Sequence, residues 1–252
     1  MKTAALAFLR LVGVFLLSLL ALQLYFLIRI ALMTVVAPGS TTFERSELVR
    51  LAVEKKLAFT WQQNWMPYAN ISNQLKRAVI ASEDANFADH SGVEWDAIEK
   101  AWERNIKAQE RADKRNEQLE KRPTAGKVEP RVVGGSTITQ QLAKNLFLSG
   151  ERHLARKAQE FLITGMLEAV LSKQRILEIY LNHVEWGEGV FGAQAAARHY
   201  FRQDASQLST MAAARLAVML PAPKRFEKRP QSAYVNGRAS TVAARMNAVE
   251  IP

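Results

Sequence analysis

An apolar run without a single charge, LVGVFLLSLLALQLYFLI at residues 11–28, constrains this chain more than any other feature. Extended to about residue 36 as a helix, it spans roughly 30 Å, the thickness of a bilayer's hydrocarbon core. Arg29 falls inside the extension, and a long side chain near a helix end can snorkel to the interface. Lys2 and Arg10 precede the run, which favours a cytoplasmic N-terminus. The competing reading is a cleaved signal peptide, but its apolar core is normally only about 7–15 residues and ends in a small-residue cleavage site. A membrane anchor over residues 11–36 is therefore expected, with residues 1–10 in the cytoplasm and everything after residue 40 outside it.

That placement decides how the composition is read. The net charge of +10 calls for an anionic partner: a membrane surface, a nucleic acid or a phosphorylated substrate. A domain outside the cytoplasm argues against nucleic acid. There is no cysteine, which excludes disulfides, zinc–thiolate sites and thiol catalysis. Apart from His90, the three remaining histidines show no metal-ligand spacing.

Beyond the anchor, the pattern is mainly α. Residues 37–58 read as a linker and juxtamembrane segment, with a short helix over 47–58. Phe59, Trp61, Trp65 and Tyr68 cluster where the chain leaves the membrane, suiting either the headgroup region or a core. Ser72 caps a helix carrying Leu75, Ala78, Val79 and Ile80. Residues 94–122 form a densely charged helical stretch, and about 115–133 read as a loop because RPTAGKVEPRVVGG cannot stay helical. Further helices are expected from Thr137 or Thr139, over 153–171, over 173–182 behind Ser172, over 192–201 and over 209–220, where Pro221 and Pro223 end the last. No run of alternating strands is evident.

Chemistry concentrates in two stretches. SEDANFADHSG (82–92) places Glu83 and Asp84 at or just past a helix C-terminus, where the helix dipole disfavours a carboxylate. Adjacent on a helix, they point about 100° apart and are poorly placed to share one role. GGSTITQQLAKN (134–145) offers close backbone approach at two glycines, hydroxyls at Ser136, Thr137 and Thr139, and amides at Gln140 and Gln141. It lacks the spacing of a P-loop. Its plainer reading is a capped helix start. RKAQE (156–160) adds a second carboxylate, Glu160, which is either solvated or brought to Glu83 by folding; Glu168 competes for the same face. Two separated carboxylates are the usual equipment for chemistry at an anomeric carbon. Lys144, Arg156 and Lys157 suit a phosphate-bearing leaving group. His90 reads as a loop-ordering hydrogen-bonding residue, or less simply as a base or ligand.

These stretches, with KQRILEIYLN (173–182), resemble in order and spacing the four motifs of the peptidoglycan glycosyltransferases, over about residues 60–225. The resemblance implies a lysozyme-like helical lobe and a small membrane-associated jaw lobe, with a glycosyltransferase domain over 59–225 and an extension over 226–252. It implies polymerisation of lipid II into β-1,4-linked glycan, with inversion at MurNAc C1 and release of undecaprenyl diphosphate, by a single-pass protein of a bacterial inner membrane whose catalytic domain is periplasmic. Glu83 matches the general base and Glu160 the second carboxylate. Lys144 and Arg156 match the diphosphate contacts, Ser136, Gln140 and Gln141 match polar cleft residues, and Asp84, Phe87 and His90 match the first motif around Glu83. Lys157 and Thr137 join them as substrate-binding candidates. The resemblance implies no required cofactor, although some members respond to a divalent metal. Its expected partners are lipid II, undecaprenyl-diphosphate-linked glycan, the membrane, and divisome components or penicillin-binding proteins. A glycan-cleaving lytic transglycosylase and a non-catalytic cell-wall scaffold are the alternatives; neither needs diphosphate-binding cations.

Overall fold

The structure is a computed structural model that describes residues 2–55, 58–119, 129, 134–148, 150 and 153–252, and it is mainly α. Helix α1 (Lys2–Leu32) contains a stretch, Ala5–Leu32, with a mean hydropathy of 2.5, long and apolar enough to cross a membrane. Its two ends have different surroundings. Phe8, Leu9, Leu16 and Leu20 are exposed, whereas Phe26, Ile30 and Met33 are buried against the rest of the protein. The last turns of the anchor thus belong to the folded domain.

Helix α2 (Thr42–Glu54) starts earlier than the short helix expected over 47–58. The reason is local. Thr41 accepts from the Glu44 backbone N–H at 3.0 Å, while Glu44 accepts from the Thr41 backbone N–H at 2.7 Å, a capping box that nucleates the helix at residue 42. The aromatic cluster packs inward: Trp61 stacks on Phe191 with ring centroids 4.6 Å apart, and Trp65 and Tyr68 rest on the core.

Helix α3 (Asn73–Glu83) begins where Ser72 accepts from the Gln74 N–H. Helix α4 (Trp95–Leu119) runs through residues 115–119, where a loop was expected. Lys, Arg, Glu and Gln are good helix formers, and the first breaker is Pro123. Most of the remainder of that expected loop lies outside the described residues. Helices α5 (Ile138–Phe147), α6 (Leu154–Val170) and α7 (Lys173–His183) are capped by Thr137, His153 and Ser172. Helices α8 (Ala193–Phe201), α9 (Thr210–Met219), α10 (Pro223–Phe226) and α11 (Ala233–Arg245) follow.

Alanine-rich α9 lies between α3 and α11, and its buried Ala213, Ala214 and Ala217 let the helices approach closely. The segment after α11 closes onto α3, where Arg77 donates to the Val249 carbonyl at 2.9 Å. A small sheet joins β1 (Gln62–Gln63), β2 (Glu185–Gly187) and β3 (Val190–Phe191), with β3 central, parallel to β1 and antiparallel to β2. Gly189, at φ +73°, permits the turn between β2 and β3: a Cβ there would stand 2.2 Å from the Thr60 carbonyl oxygen.

Candidate active site

Glu83 is the last residue of α3 and is half-buried. Its Oε2 accepts from Gln141 Nε2 at 3.0 Å, and Gln141 Oε1 in turn accepts from the Tyr180 hydroxyl at 2.9 Å. The direction of this relay is fixed at its far end. Burial, reinforced by the nearby Glu83 and Asp84 charges, pushes the Tyr180 phenol well above its ordinary range, so it stays a donor and turns the amide NH2 of Gln141 towards Glu83. Burial also raises the Glu83 carboxyl, and Asp84 adds to the rise. The Gln141 hydrogen bond, the Lys144 charge and Ser82 oppose it without cancelling it. A carboxylate held in this way is more basic than a solvated one.

Asp84 resolves the awkward placement seen in the sequence. It ends α3, but its Oδ2 accepts from the Ile138 N–H at 2.9 Å, at the start of α5. The charge disfavoured by one helix is stabilised by the N-terminus of another. Its Oδ1 accepts from His90 Nε2 at 2.8 Å, and His90 Nδ1 accepts from the Gly92 N–H at 3.0 Å, which sets the proton on Nε2. The Gly92 carbonyl then accepts from Thr137 Oγ1 at 2.7 Å. Asp84, His90 and Thr137 therefore fasten the 82–92 stretch to the 134–145 stretch, from behind Glu83.

Two cavities meet at Ser136. The larger, about 320 Å³, is lined by Gln140, Gln141, Lys144, Arg156, Lys157 and Glu160, together with Phe43 and Ser46 of α2. The smaller, about 180 Å³, has Glu83 and Asp84 in its wall, facing α4. Glu160 is buried, ion-paired to Arg156 Nη1 at 3.1 Å and to Lys157 Nζ. Removing the negative charge would leave two cations crowded at the mouth, so Glu160 holds them in place. Gln140 Oε1 accepts from the Thr137 N–H at 3.2 Å, completing a second capping box, and its buried Nε2 has no hydrogen-bond partner among the described residues.

The residues singled out in the sequence thus divide. Ser136, Gln140, Gln141, Lys144, Arg156, Lys157 and Glu160 surround the larger cavity, and Glu83 lines the smaller. Thr137 is a buried helix cap, and His90 sits behind Asp84. Phe87 lines neither cavity: it is fully buried, with Lys173 Nζ 4.6 Å from its ring centroid. It was singled out because it lies within the motif, and an aromatic residue in a chemical motif can serve packing instead. Glu168 faces elsewhere, bound to Thr139 Oγ1 at 2.5 Å and Lys173 Nζ at 2.9 Å. Tyr180 carries no chemical signal of its own in the sequence, because its link to Glu83 through Gln141 is a tertiary relation.

Among the described residues, Asp84, His90 and Glu94 each bring one potential ligand atom within 4.8 Å of the others. All three are already engaged: Asp84 by Ile138 and His90, His90 by Gly92, and Glu94 by Asn86 Nδ2 at 2.5 Å. A metal there would have to displace the link that fastens the two motifs.

The transglycosylase family model matches residues 52–115 and 121–247. The chain is 52% identical over 241 residues to a biosynthetic peptidoglycan transglycosylase of Burkholderia thailandensis, covering 95% of this chain and 86% of that one. A protein described in the same words from Ralstonia nicotianae is 51% identical over 245 residues, 96% of each chain. Another from a Janthinobacterium species is 50% identical over 233 residues, 92% of each.

Proposed function

The chain belongs to the transglycosylase family, and from that premise we propose that it is a peptidoglycan glycosyltransferase that polymerises lipid II into β-1,4-linked glycan. The observation that carries the reading is the pairing of a burial-raised carboxylate, Glu83, with an adjoining cavity walled by Lys144, Arg156 and Lys157. In this reaction Glu83 removes the proton from the GlcNAc 4-OH of the acceptor as that oxygen attacks C1 of the donor MurNAc. The new C1–O4 bond forms on the face opposite the leaving group, the C1–O bond to the diphosphate breaks, and the α linkage becomes β. The departing undecaprenyl diphosphate takes the bonding electrons, and Lys144 and Arg156 neutralise the charge that develops on it. Glu160, already paired to Arg156 and Lys157, keeps those cations aimed at the leaving group.

The anchor supports a membrane-borne substrate. Lys2 and Arg10 before the apolar run orient the N-terminus to the cytoplasm and the domain to the other side. A glycan-cleaving enzyme has no use for cations around a diphosphate, and a scaffold has no use for a Tyr180–Gln141–Glu83 relay.

The test is polymerisation of fluorescent lipid II by the purified full-length protein, with and without a divalent ion. Polymer from the wild type that is blocked by moenomycin and lowered about 10²–10⁴-fold in Glu83→Gln supports the reading, since that is the usual contribution of a general base. Undiminished polymer from well-folded Glu83→Gln removes Glu83 as the base. No polymer from the wild type under any of these conditions overturns the function.

A further inference from the structure

Half of the chain's net charge of +10 lies in residues 223–249, which hold six Lys or Arg and one Glu. From Lys228 to Val249 there is no acidic residue. Helical spacing gathers part of this charge into a stripe. Tyr234, Arg238 and Arg245 lie within about 40° of one another around α11, over roughly 16 Å of its length. All three are exposed, and so are Lys228 and Arg229 in the turn before the helix. Among the described residues, the ion pairs in this part of the chain are those of Arg198 with Asp204 and of Lys224 with Glu47 and Glu185. That leaves Lys228, Arg229, Arg238 and Arg245 without a carboxylate.

The stripe ends on an aromatic platform. Tyr234 stacks on Phe226 of α10, with ring planes 8° apart and centroids 5.8 Å apart. Helix α11 packs on α9 and α3, and α10 on β2, whereas the anchor packs on α6. The surface is therefore carried by helices other than those that hold the anchor. It still reaches the cleft, because Lys224 of α10 is ion-paired to Glu47 of α2. Glu47 directly follows Ser46, which lines the larger cavity.

Exposed cations beside stacked rings suit a sugar polymer that carries carboxylates. The negative face of an aromatic ring receives the C–H groups of a pyranose, and arginine forks receive carboxylates. The proposed product has this chemistry, since its MurNAc units bear stem peptides that end in carboxylates. We propose that the α10–α11 surface binds the growing glycan strand outside the cleft. This rests on the polymerase reading of the cleft. The strand is the donor, so its diphosphate end sits at Lys144 and Arg156 while the sugars added earlier trail out past α2. A second hold on those sugars keeps the strand at high effective concentration while its new end is repositioned between transfers. Strand length then depends on α11, and the rate of a single transfer does not.

The experiment uses full-length protein in non-ionic detergent. The probes are uncross-linked glycan strands with intact stem peptides, and the same strands stripped of peptide by an amidase. Arg238→Glu/Arg245→Glu is expected to weaken binding of intact strands by about tenfold at low salt, as loss of two exposed charge pairs does. The difference should close at about 1 M salt, where charges are screened within roughly 3 Å. Arg238→Lys/Arg245→Lys should keep most of the affinity, and stripped strands should bind wild type and variant alike. During lipid II polymerisation the Glu variant should consume substrate at the wild-type initial rate and release shorter strands. Arg238→Gln/Arg245→Gln replaces it if charge reversal lowers the thermal midpoint. A folded variant with wild-type strand affinity and wild-type strand lengths overturns this assignment and leaves the polymerase reading standing. A defect confined to vesicles of anionic phospholipid assigns the surface to the membrane and also overturns it. A wild type that forms no polymer overturns the reading beneath, and the strand-binding role with it.

Discussion

Asp84→Asn separates the structural work of this residue from its electrostatic effect on Glu83. In the wild type the carboxylate accepts from two donors, the Ile138 N–H and His90 Nε2. An amide of the same shape can accept only one of them. If its oxygen keeps Ile138, its NH2 faces His90 Nε2. The histidine can then become an acceptor there only by moving its proton to Nδ1, where it meets the Gly92 N–H 3.0 Å away. One buried donor is left without an acceptor in either tautomer. That conflict, with loss of the charge at the α5 N-terminus, costs about 2–4 kcal/mol. For a domain of this size the thermal midpoint should fall by roughly 5–15 °C, read by differential scanning fluorimetry in detergent. The second readout has the opposite character. Asp84 is a like charge that raises the Glu83 carboxyl, so its removal makes Glu83 easier to ionise, and the acid limb of the pH–rate profile moves to lower pH. Asp89→Asn, at an exposed neighbour, is the control and should move neither. A midpoint within about 2 °C of wild type, or an acid limb displaced upward, would refute this account of the junction.

Gln141→Leu should displace the same acid limb upward, because it removes the hydrogen bond that favours the ionised form of Glu83; an unchanged or lowered limb would show that Gln141 does not tune the base. Away from the cleft, burial pushes the Glu185 carboxyl up to about 7 from its ordinary 4.5, with Glu47 adding to the rise and Lys224 opposing it. A carboxyl raised on folding binds protons more tightly in the native state, so this group lowers stability as pH rises from about 4.5 to 7, by up to about 3 kcal/mol once fully ionised. Glu185→Gln should therefore raise the thermal midpoint at pH 8 and leave it little changed near pH 4, and equal shifts at both would count against the linkage.

Elements with a local start signal were legible in the sequence. Ser72, Thr137 and Ser172 each announce a helix through a side-chain acceptor for their own backbone, and the helices begin one residue later. The start of α2 carried the same kind of mark, Thr41 and Glu44 at capping-box spacing, beneath a stretch whose composition reads as a linker. The small sheet carried none. Strands of two or three residues are too short for alternation, and β1 meets β3 only across more than a hundred residues of chain. The site divides along the same line. Charge and chemical type singled out Glu83, Lys144, Arg156 and Glu160, but the relation of Asp84 to the α5 N-terminus and of Tyr180 to Gln141 exists only once helices distant in sequence are packed together.

The anchor gives the sharpest case. Hydropathy marks α1 as one continuous apolar element, yet hydropathy cannot distinguish a turn facing lipid from a turn facing protein, since both are apolar. The structure makes that distinction with polar groups. Gln23 and Gln159 exchange two amide hydrogen bonds at 2.9 Å, and Arg175 Nε donates to the Met33 carbonyl at 2.8 Å. Beside them Phe26 meets Phe147 edge-on, with centroids 5.2 Å apart. Gln159 precedes Glu160 on α6, and Phe147 ends the helix that carries Gln141 and Lys144. The lone glutamine in the apolar run thus marks where one face of the helix, that of Phe26, Ile30 and Met33, begins to pack on the scaffold behind the cleft, while Leu24, Ile28 and Leu32 stay exposed.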